Sequence, residues 1–371
     1  MSDIQAGFSP SYRDAREKFL AAATSAGLSV QSHIHPLPGR DSEVLAMDVA
    51  RDGPDDADCL LILSSACHGV EGYCGSGVQV FALHDAAWLA HARANPGGKT
   101  LAVLYIHALN PYGFSHLRRV THENVDLNRN FHDFSQPLPV NAGYRAIAPM
   151  LLPTEWPPTA DNVAMVEQYI SQAGLAAYQA AVTGGQYEFP DGLFFGGNAP
   201  TWSNVTLRSV LRQHGRKASR MGWIDFHTGL GPSGHGERIF AGWQDDAAIA
   251  RARRWWDGGG KTPITSTYDG SSSSAPLTGL MWCAARDECP QAEYTGIAME
   301  YGTQPVRDVL QALRAEQWLN LHPEAPAEQA SRIKQQLKDA FYTDTDSWGE
   351  QIVEQGMEAM YQAVVGLRSV T

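Results

Sequence analysis

The 371-residue sequence predicts an α/β fold, with a mixed, mostly parallel central sheet and helices on both faces. Three observations lead there. Four short apolar runs have the length and continuity of buried strands: 59–65 ("CLLILSS"), 101–109 ("LAVLYIHAL"), 221–226 ("MGWIDF") and 296–301 ("GIAMEY"). Longer stretches with apolar residues at helical spacing lie before, between and after them. Apolar residues at 43% against 18% charged give the chain enough material for a sizeable core.

In chain order, helical spacing appears first at 12–23, and then at 77–92, directly after the first strand and a short polar motif. Further helices are expected at 162–182, 202–214, 245–256 and 305–320, with two more, 327–341 and 347–367, at the end. The stretch 132–160 holds Pro137, Pro139, Pro149, Pro153, Pro157 and Pro158 and reads as a long irregular excursion, which in a compact domain is usually functional or disordered. "YDGSSSSAP" at 268–276 has the composition of a mobile surface loop. With no linker and no repeat, the expectation is one domain over 1–371, ending in a helical segment from about 305 to 371.

Charge and cysteine usage exclude some classes of function. A formal charge of −12 disfavours nucleic acid and anionic membrane as partners, because both reward clustered Lys and Arg. No apolar stretch approaches the roughly 18 residues of a membrane helix, and the first residues lack the basic and apolar regions of a secretory signal. The five cysteines, Cys59, Cys67, Cys74, Cys283 and Cys289, contain no CxxC pair and suit reduced thiols, so a cytoplasmic protein is expected. Cys67 and Cys74 flank the motif, but lie seven apart without the paired spacing of structural zinc sites.

The polar residues of interest sit at strand ends, where ligands bind in open α/β sheets. His68 and Glu71 follow the first strand, "NP" at 110–111 follows the second, His227 ends the third and Glu300 lies in the fourth. Imidazole and carboxylate at this spacing suit zinc, and a catalytic site wants a third protein ligand with the fourth position open. His227 in "DFHTGLG" is the candidate, because it lies where an apolar strand opens into the cleft. Gly69, Gly72, Gly75 and Gly77 around the first pair are expected to leave room for substrate. Taken singly, an HxxE pair or a lone histidine is often a chance occurrence, and His84, His91, His116, His132, His214 and His322 read as ordinary surface or helix residues. Segment 110–131, "NPYGFSHLRRVTHENVDLNRNF", places Arg118, Arg119 and Arg129 in an otherwise acidic chain, and guanidinium groups bind carboxylates in a planar, bidentate way. Arg118 could equally pair with a surface acid, whereas Arg129, between Asn128 and Asn130, reads as a ligand-binding residue.

In order and separation, "HGVE", "NPYGF", "DLNRNF", "DFHTG" and a late glutamate before "YGT" resemble the zinc carboxypeptidase superfamily, over positions 8 to 303. Within that superfamily the sequence resembles its bacterial branch of zinc carboxypeptidase-like proteins of unknown function. The resemblance implies one Zn²⁺ per chain on His68, Glu71 and His227, with Asp126 orienting His68. It also implies Glu300 as general base and acid, Arg119 (or Arg118) polarising the scissile carbonyl, and Asn128 with Arg129 holding a substrate carboxylate. The family's mobile tyrosine lies some twenty residues before its glutamate, whereas the loop tyrosine here, Tyr268, lies 32 before Glu300. The short interval from Arg119 to Asn128 also resembles the related deacylases, aspartoacylase and succinylglutamate desuccinylase.

The expected function is therefore a zinc-dependent hydrolase of an amide next to a free carboxylate, acting on a peptide or small molecule. An N-acyl amino acid deacylase is the alternative, and a silent zinc- or carboxylate-binding module is a third reading. Glu300 retained beside all three ligands speaks against the silent module. The roughly 70 residues after Glu300 leave room for a helical cap or a contact within a homo-oligomer.

Overall fold

Four of the eight strands among the described residues form a parallel centre because their sequences are apolar on both faces, as a sheet covered by helices on each side requires. The structure is a computed structural model that describes residues 4–95, 98–258 and 262–369. Its strands are β1 (Val30–Ile34), β2 (Ala46–Asp52), β3 (Cys59–Ser65), β4 (Leu101–His107), β5 (Arg220–Ser233), β6 (Gly236–Phe240), β7 (Ile264–Thr265) and β8 (Glu293–Gly302). They lie in the order β1-β2-β4-β3-β5-β8-β6-β7. β4, β3, β5 and β8 run parallel, and the antiparallel pairs β1–β2, β2–β4 and β6–β8 extend the sheet at its two sides.

The helices are α1 (Tyr12–Ser25), α2 (Gly72–His84), α3 (Ala86–Arg93), α4 (Pro111–Ser115), α5 (Ala142–Leu151), α6 (Ala160–Ala173), α7 (Leu175–Thr183), α8 (Trp202–Gly215), α9 (Asp246–Trp256), α10 (Cys283–Glu288), α11 (Val306–Leu321), α12 (Ala327–Phe341) and α13 (Asp346–Arg368). Alternation along the strands sorts the core into two layers. Leu61, Leu63, Ile224, Phe226, Ile297 and Met299 face α1, α2, α9 and α13, and Leu60, Ile62, Met221, Trp223 and Ala298 face α8 and α10. A third apolar cluster joins α5, α6, α7, α11 and α12. No helix of the described residues is long and apolar enough to cross a membrane.

Several expectations change. The stretch 77–92 is two helices, because Asp85 leaves helical geometry and its carboxylate accepts the Trp88 amide to start α3. The stretch 162–182 also divides, at Gly174, whose φ of 89° suits glycine and ends α6. The excursion 132–160 contains α5, started by the Asn141 side chain, with Pro149 inside it. β1, β2, β6 and β7 were not expected. The glycines of the opening motif serve packing rather than substrate: a Cβ on Gly69 would fall 2.0 Å from the Gly113 carbonyl carbon, and one on Gly75 would fall 2.7 Å from the Ser65 Cβ. The segment expected to be helical from 305 is α11 to α13, with positions 370–371 outside the described residues.

Candidate active site

β3 ends at Ser65, and the chain turns through Ala66, in the left-handed region at φ 58°, into a short helical turn at Gly69–Glu71. The backbone around the arginine pair holds this turn: the Gly69 amide donates to the Arg119 carbonyl (3.0 Å) and the Val70 amide to that of Arg118 (2.9 Å). His68 and Glu71 are thereby fixed on one side of the turn. His227 comes from β5, the next strand in the sheet, and Glu300 is its register partner on β8, so both side chains leave the same face.

The two imidazoles meet at one carboxylate. His68 Nδ1 lies 2.8 Å from Glu71 Oε1, and His227 Nδ1 lies 3.0 Å from Oε2. One ligand atom from each of the three residues falls within 4.8 Å of the others, and all three residues are buried. Behind the rings, each Nε2 faces a second carboxylate, Asp126 at 3.2 Å from His68 and Asp225 at 2.5 Å from His227. A ring whose Nε2–H is held by a carboxylate presents its Nδ1 lone pair, the arrangement metal-bound histidines adopt. Two such nitrogens and a carboxylate, opening on a cavity, suit a zinc ion with a free position.

A second group of potential donors, Cys67, Asp225 and His227, lies behind the first. Cys67 and Asp225 do not line the cavity, and burial, followed by the Asp225 charge, pushes the Cys67 thiol well above its usual range. That group has no open position toward substrate.

Arg119 sits over the Phe194 ring at 4.8 Å and donates to Asp126 Oδ2 (2.9 Å) and Glu71 Oε1 (3.1 Å). Its NH2 is also 2.8 Å from His68 Nε2. That nitrogen either accepts from Arg119 or donates to Asp126, and a His68 that ligates through Nδ1 must donate to Asp126. The charges balance locally. Burial disfavours the Asp126 carboxylate, yet Arg119, Arg129 and His68 outweigh it and hold its pKa well below the ordinary range. For Glu71, burial is likewise outweighed by His68 and His227, and its pKa falls. Burial opposes a charged His227, but Asp225 and Glu71 hold its pKa well above the ordinary histidine range. Glu300 goes the other way: burial and the nearby Glu71 charge push it up to about 8, while the Leu230 amide donates to its Oε1 at 3.0 Å.

Arg129 is buried, and burial lowers its pKa against the opposing pull of Asp126. Its Nε and NH2 donate to the Thr183 carbonyl (3.2 and 2.7 Å) and its NH1 to the Asn128 carbonyl (2.9 Å). The nearest carboxylate, Asp126, is 4.0 Å away. A guanidinium has five N–H donors, so the charge retains donating capacity beyond these carbonyls. Asn128 Oδ1 accepts the Met281 amide at 2.9 Å.

One cavity, of about 910 Å³ including its open mouth, is lined by His68, Glu71, His227, Glu300, Arg119, Asn128 and Arg129. Two residues offered by the sequence as substrate-binding are not among those lining it. Arg118 points the other way, pairing with buried Glu316 (2.8 Å) and also donating to Asn124 and Gln317, so its charge is neutralised inside the protein. The Tyr268 hydroxyl donates to the Gly242 carbonyl (3.0 Å), and the residue is 41% exposed. Sequence reasoning also missed three features of the site. Asp225 was legible, since it lies two residues before His227 on one strand and so shares its face. Phe194 beneath Arg119, and the apolar walls of the cavity, gave no local signal.

The overall architecture is shared with a solved structure of thrombin-activatable fibrinolysis inhibitor, at TM-score 0.51 and 10% identity, covering 96% of this chain and 74% of that one. Lower similarity is found to a metallo-carboxypeptidase from Burkholderia cenocepacia (TM-score 0.41, 10% identity, 94% and 68% covered) and to Fimbriiglobus ruber glutaminyl cyclase (TM-score 0.43, 9% identity, 97% and 89% covered). At these identities the likeness concerns the fold alone. Curated proteins yield no match. Residues 8–355 match the family model described as "Protein of unknown function (DUF2817)", and the chain belongs to that family.

Proposed function

We propose that the protein is a zinc-dependent hydrolase of amides that lie next to a free carboxylate. The observation that carries this reading is the convergence of His68 Nδ1, His227 Nδ1 and the Glu71 carboxylate on a cavity that Glu300 and Arg129 also line. His68, Glu71 and His227 would hold the metal. Zinc bound there would lower the pKa of a water and polarise a carbonyl oxygen.

The chain's own residues supply the rest. Glu300 takes the proton of the attacking water and returns it to the leaving nitrogen, so the carbonyl carbon gains the hydroxyl while its bond to nitrogen breaks. Arg119 directs positive charge at the oxygen that becomes negative. Arg129, with Asn128 beside it, holds the substrate carboxylate by charge-assisted hydrogen bonds and places the neighbouring amide at the site. Leu277, Leu280 and Trp282 form an apolar wall on this side, where the residue bearing the carboxylate would lie.

The test compares the zinc-loaded protein on N-acyl amino acids and peptides with a free α-carboxylate and on the same compounds amidated at that end. The free acids are expected to be cleaved and the amides poorly, and Arg129→Ala should raise KM and lower kcat together. Equal rates on acid and amide would remove Arg129 from the anchor.

Asp225 makes a separate prediction. It accepts from the Ser64 hydroxyl (2.5 Å) as well as facing His227 Nε2, so two residues fix its orientation. Asp225→Asn keeps the size but removes the charge that holds the ring's proton on Nε2. Zinc affinity, measured by competition with a chelator, is expected to fall by roughly 10- to 100-fold, as for other outer partners of metal-bound histidines. Unchanged affinity would leave Asp225 a purely structural residue.

A further inference from the structure

The cavity has a second apolar wall, on segments separate from the loop beside the carboxylate anchor. Val306, Val309, Leu310 and Leu313 of α11 form it together with Phe341 at the end of α12. Contacts on both sides fix its place relative to the reacting centre. The loop bearing Leu277, Leu280 and Trp282 is tied to the anchor, since Asn128 Oδ1 accepts the Met281 amide and the Phe131 amide donates to the Gly279 carbonyl at 3.0 Å. Phe341 is tied instead to the backbone just beyond His227. The Thr228 hydroxyl donates to the Phe341 carbonyl (2.6 Å), and a Cβ on Gly229 would fall 2.9 Å from the Phe341 ring. Val70, between His68 and Glu71, belongs to the same apolar cluster as Phe341, Val309, Leu310 and Leu313. The Phe341 end of this wall therefore lies beside the ligand set, while Phe194 of the same cluster, 5.8 Å from the Arg129 guanidinium, continues it toward the anchor.

We infer that the group on the acyl side of the scissile amide is an apolar acyl chain rather than a continuing peptide. This rests on the hydrolase reading above, and it names the substrate class: amino acids carrying an apolar N-acyl group and a free carboxylate. The argument is one of hydrogen-bonding capacity. A peptide running along this wall would bring amide groups that need partners once buried. From Val309 onward, α11 has its amides bonded within the helix and offers only side chains, all of them apolar at the cavity. Three polar groups beside Phe341 and His227 are already engaged: the Thr228 amide donates to Glu71 Oε2 (3.2 Å), the Thr228 hydroxyl to Phe341, and the Leu230 amide to Glu300. A hydrocarbon chain asks for no partner, and it gains from every methylene removed from water.

The experiment compares N-acetyl-leucine, N-hexanoyl-leucine and N-acetylglycyl-leucine as substrates of the zinc-loaded full chain. The last two have acyl groups of similar length and differ in whether an amide lies on the wall. Burial of a methylene is worth about a factor of four, so kcat/KM for the hexanoyl compound should exceed that for the acetyl compound by at least about tenfold, and should exceed that for the acetylglycyl compound as well. Leu313→Asn should collapse the hexanoyl-to-acetyl ratio, which is insensitive to the fraction of protein folded because both rates come from one preparation. Binding of the same compounds to zinc-loaded Glu300→Gln, followed by calorimetry, gives a readout independent of turnover. Tighter binding of the hexanoyl compound with no hydrolysis of any amide would support the acyl wall and overturn the hydrolase reading. Hydrolysis with no chain-length dependence in rate or binding, or with the acetylglycyl compound preferred, would overturn the acyl wall and leave the hydrolase reading standing.

Discussion

Glu300→Gln is expected to keep the fold and the zinc and to lose about 10²- to 10⁴-fold in kcat, the usual contribution of a general acid-base group. The substitution is nearly isosteric, and glutamine Oε1 can still accept the Leu230 amide that Glu300 accepts now at 3.0 Å. What it removes is the ability to take and return a proton. Glu300 is suited to that exchange by its surroundings: burial and the Glu71 charge push its pKa up to about 8, above the ordinary glutamate. A dication bound by His68, Glu71 and His227 would draw it back down, since nearby positive charge favours the carboxylate. The measurement is kcat together with zinc stoichiometry. Near wild-type turnover would show that another group is the base, and loss of zinc in the variant would make Glu300 a ligand.

How much of this could be read from the sequence depended on how local the determinants were. β3, β4, β5 and β8 were legible because a parallel strand covered on both faces must be apolar throughout, and "CLLIL" or "LAVLYI" states that without context. β1 and β2 were not: "VQSHI" has no buried residue and "AMDVARD" carries two aspartates, whose charges are met by Arg16 and Arg93 from distant helices. The site divides in the same way. His68, Glu71, His227 and Glu300 lie in short motifs at strand ends, Asn128 and Arg129 lie in the helical turn Leu127–Arg129, and all six reach one cavity. Arg118 and Arg119 are adjacent, and nothing local says which faces inward; Glu316, 198 positions along, takes Arg118 and leaves Arg119 to Glu71 and Asp126. The place of Tyr268 is set by Gly242 and by a loop that Glu237 ties down through Thr265 and Ser273. The apolar lining of the cavity comes from segments near 239, 280, 310 and 341, so no single window of sequence contains all of it.

The largest effect on the metal is expected from His227. With this ring removed, His68 and Glu71 alone remain, and two donors do not make the three-ligand set of a catalytic zinc site. The loss should exceed the roughly 10- to 100-fold that follows removal of an outer partner such as Asp225, so that protein dialysed against a weak chelator retains zinc as wild type and loses it as the variant. His227→Ala would also leave the Asp225 carboxylate buried without its Nε2 partner, a cost that could unfold the chain for reasons unrelated to zinc. His227→Gln serves as the companion, because its amide can still donate toward Asp225 while offering the metal a poorer ligand. Thermal unfolding separates the two effects, since a ligand that binds only the folded state raises Tm as its concentration rises above Kd. Wild type should gain stability on zinc addition, whereas the glutamine variant should fold, unfold cooperatively and gain little. Cys67→Ser completes the test. It disables the alternative donor group of Cys67, Asp225 and His227 while leaving His68 and Glu71 untouched, and is expected to hold zinc as tightly as wild type. Zinc lost from Cys67→Ser but kept by a His68→Gln variant would move the metal behind His227, away from the cavity, and with it would go the case for hydrolysis.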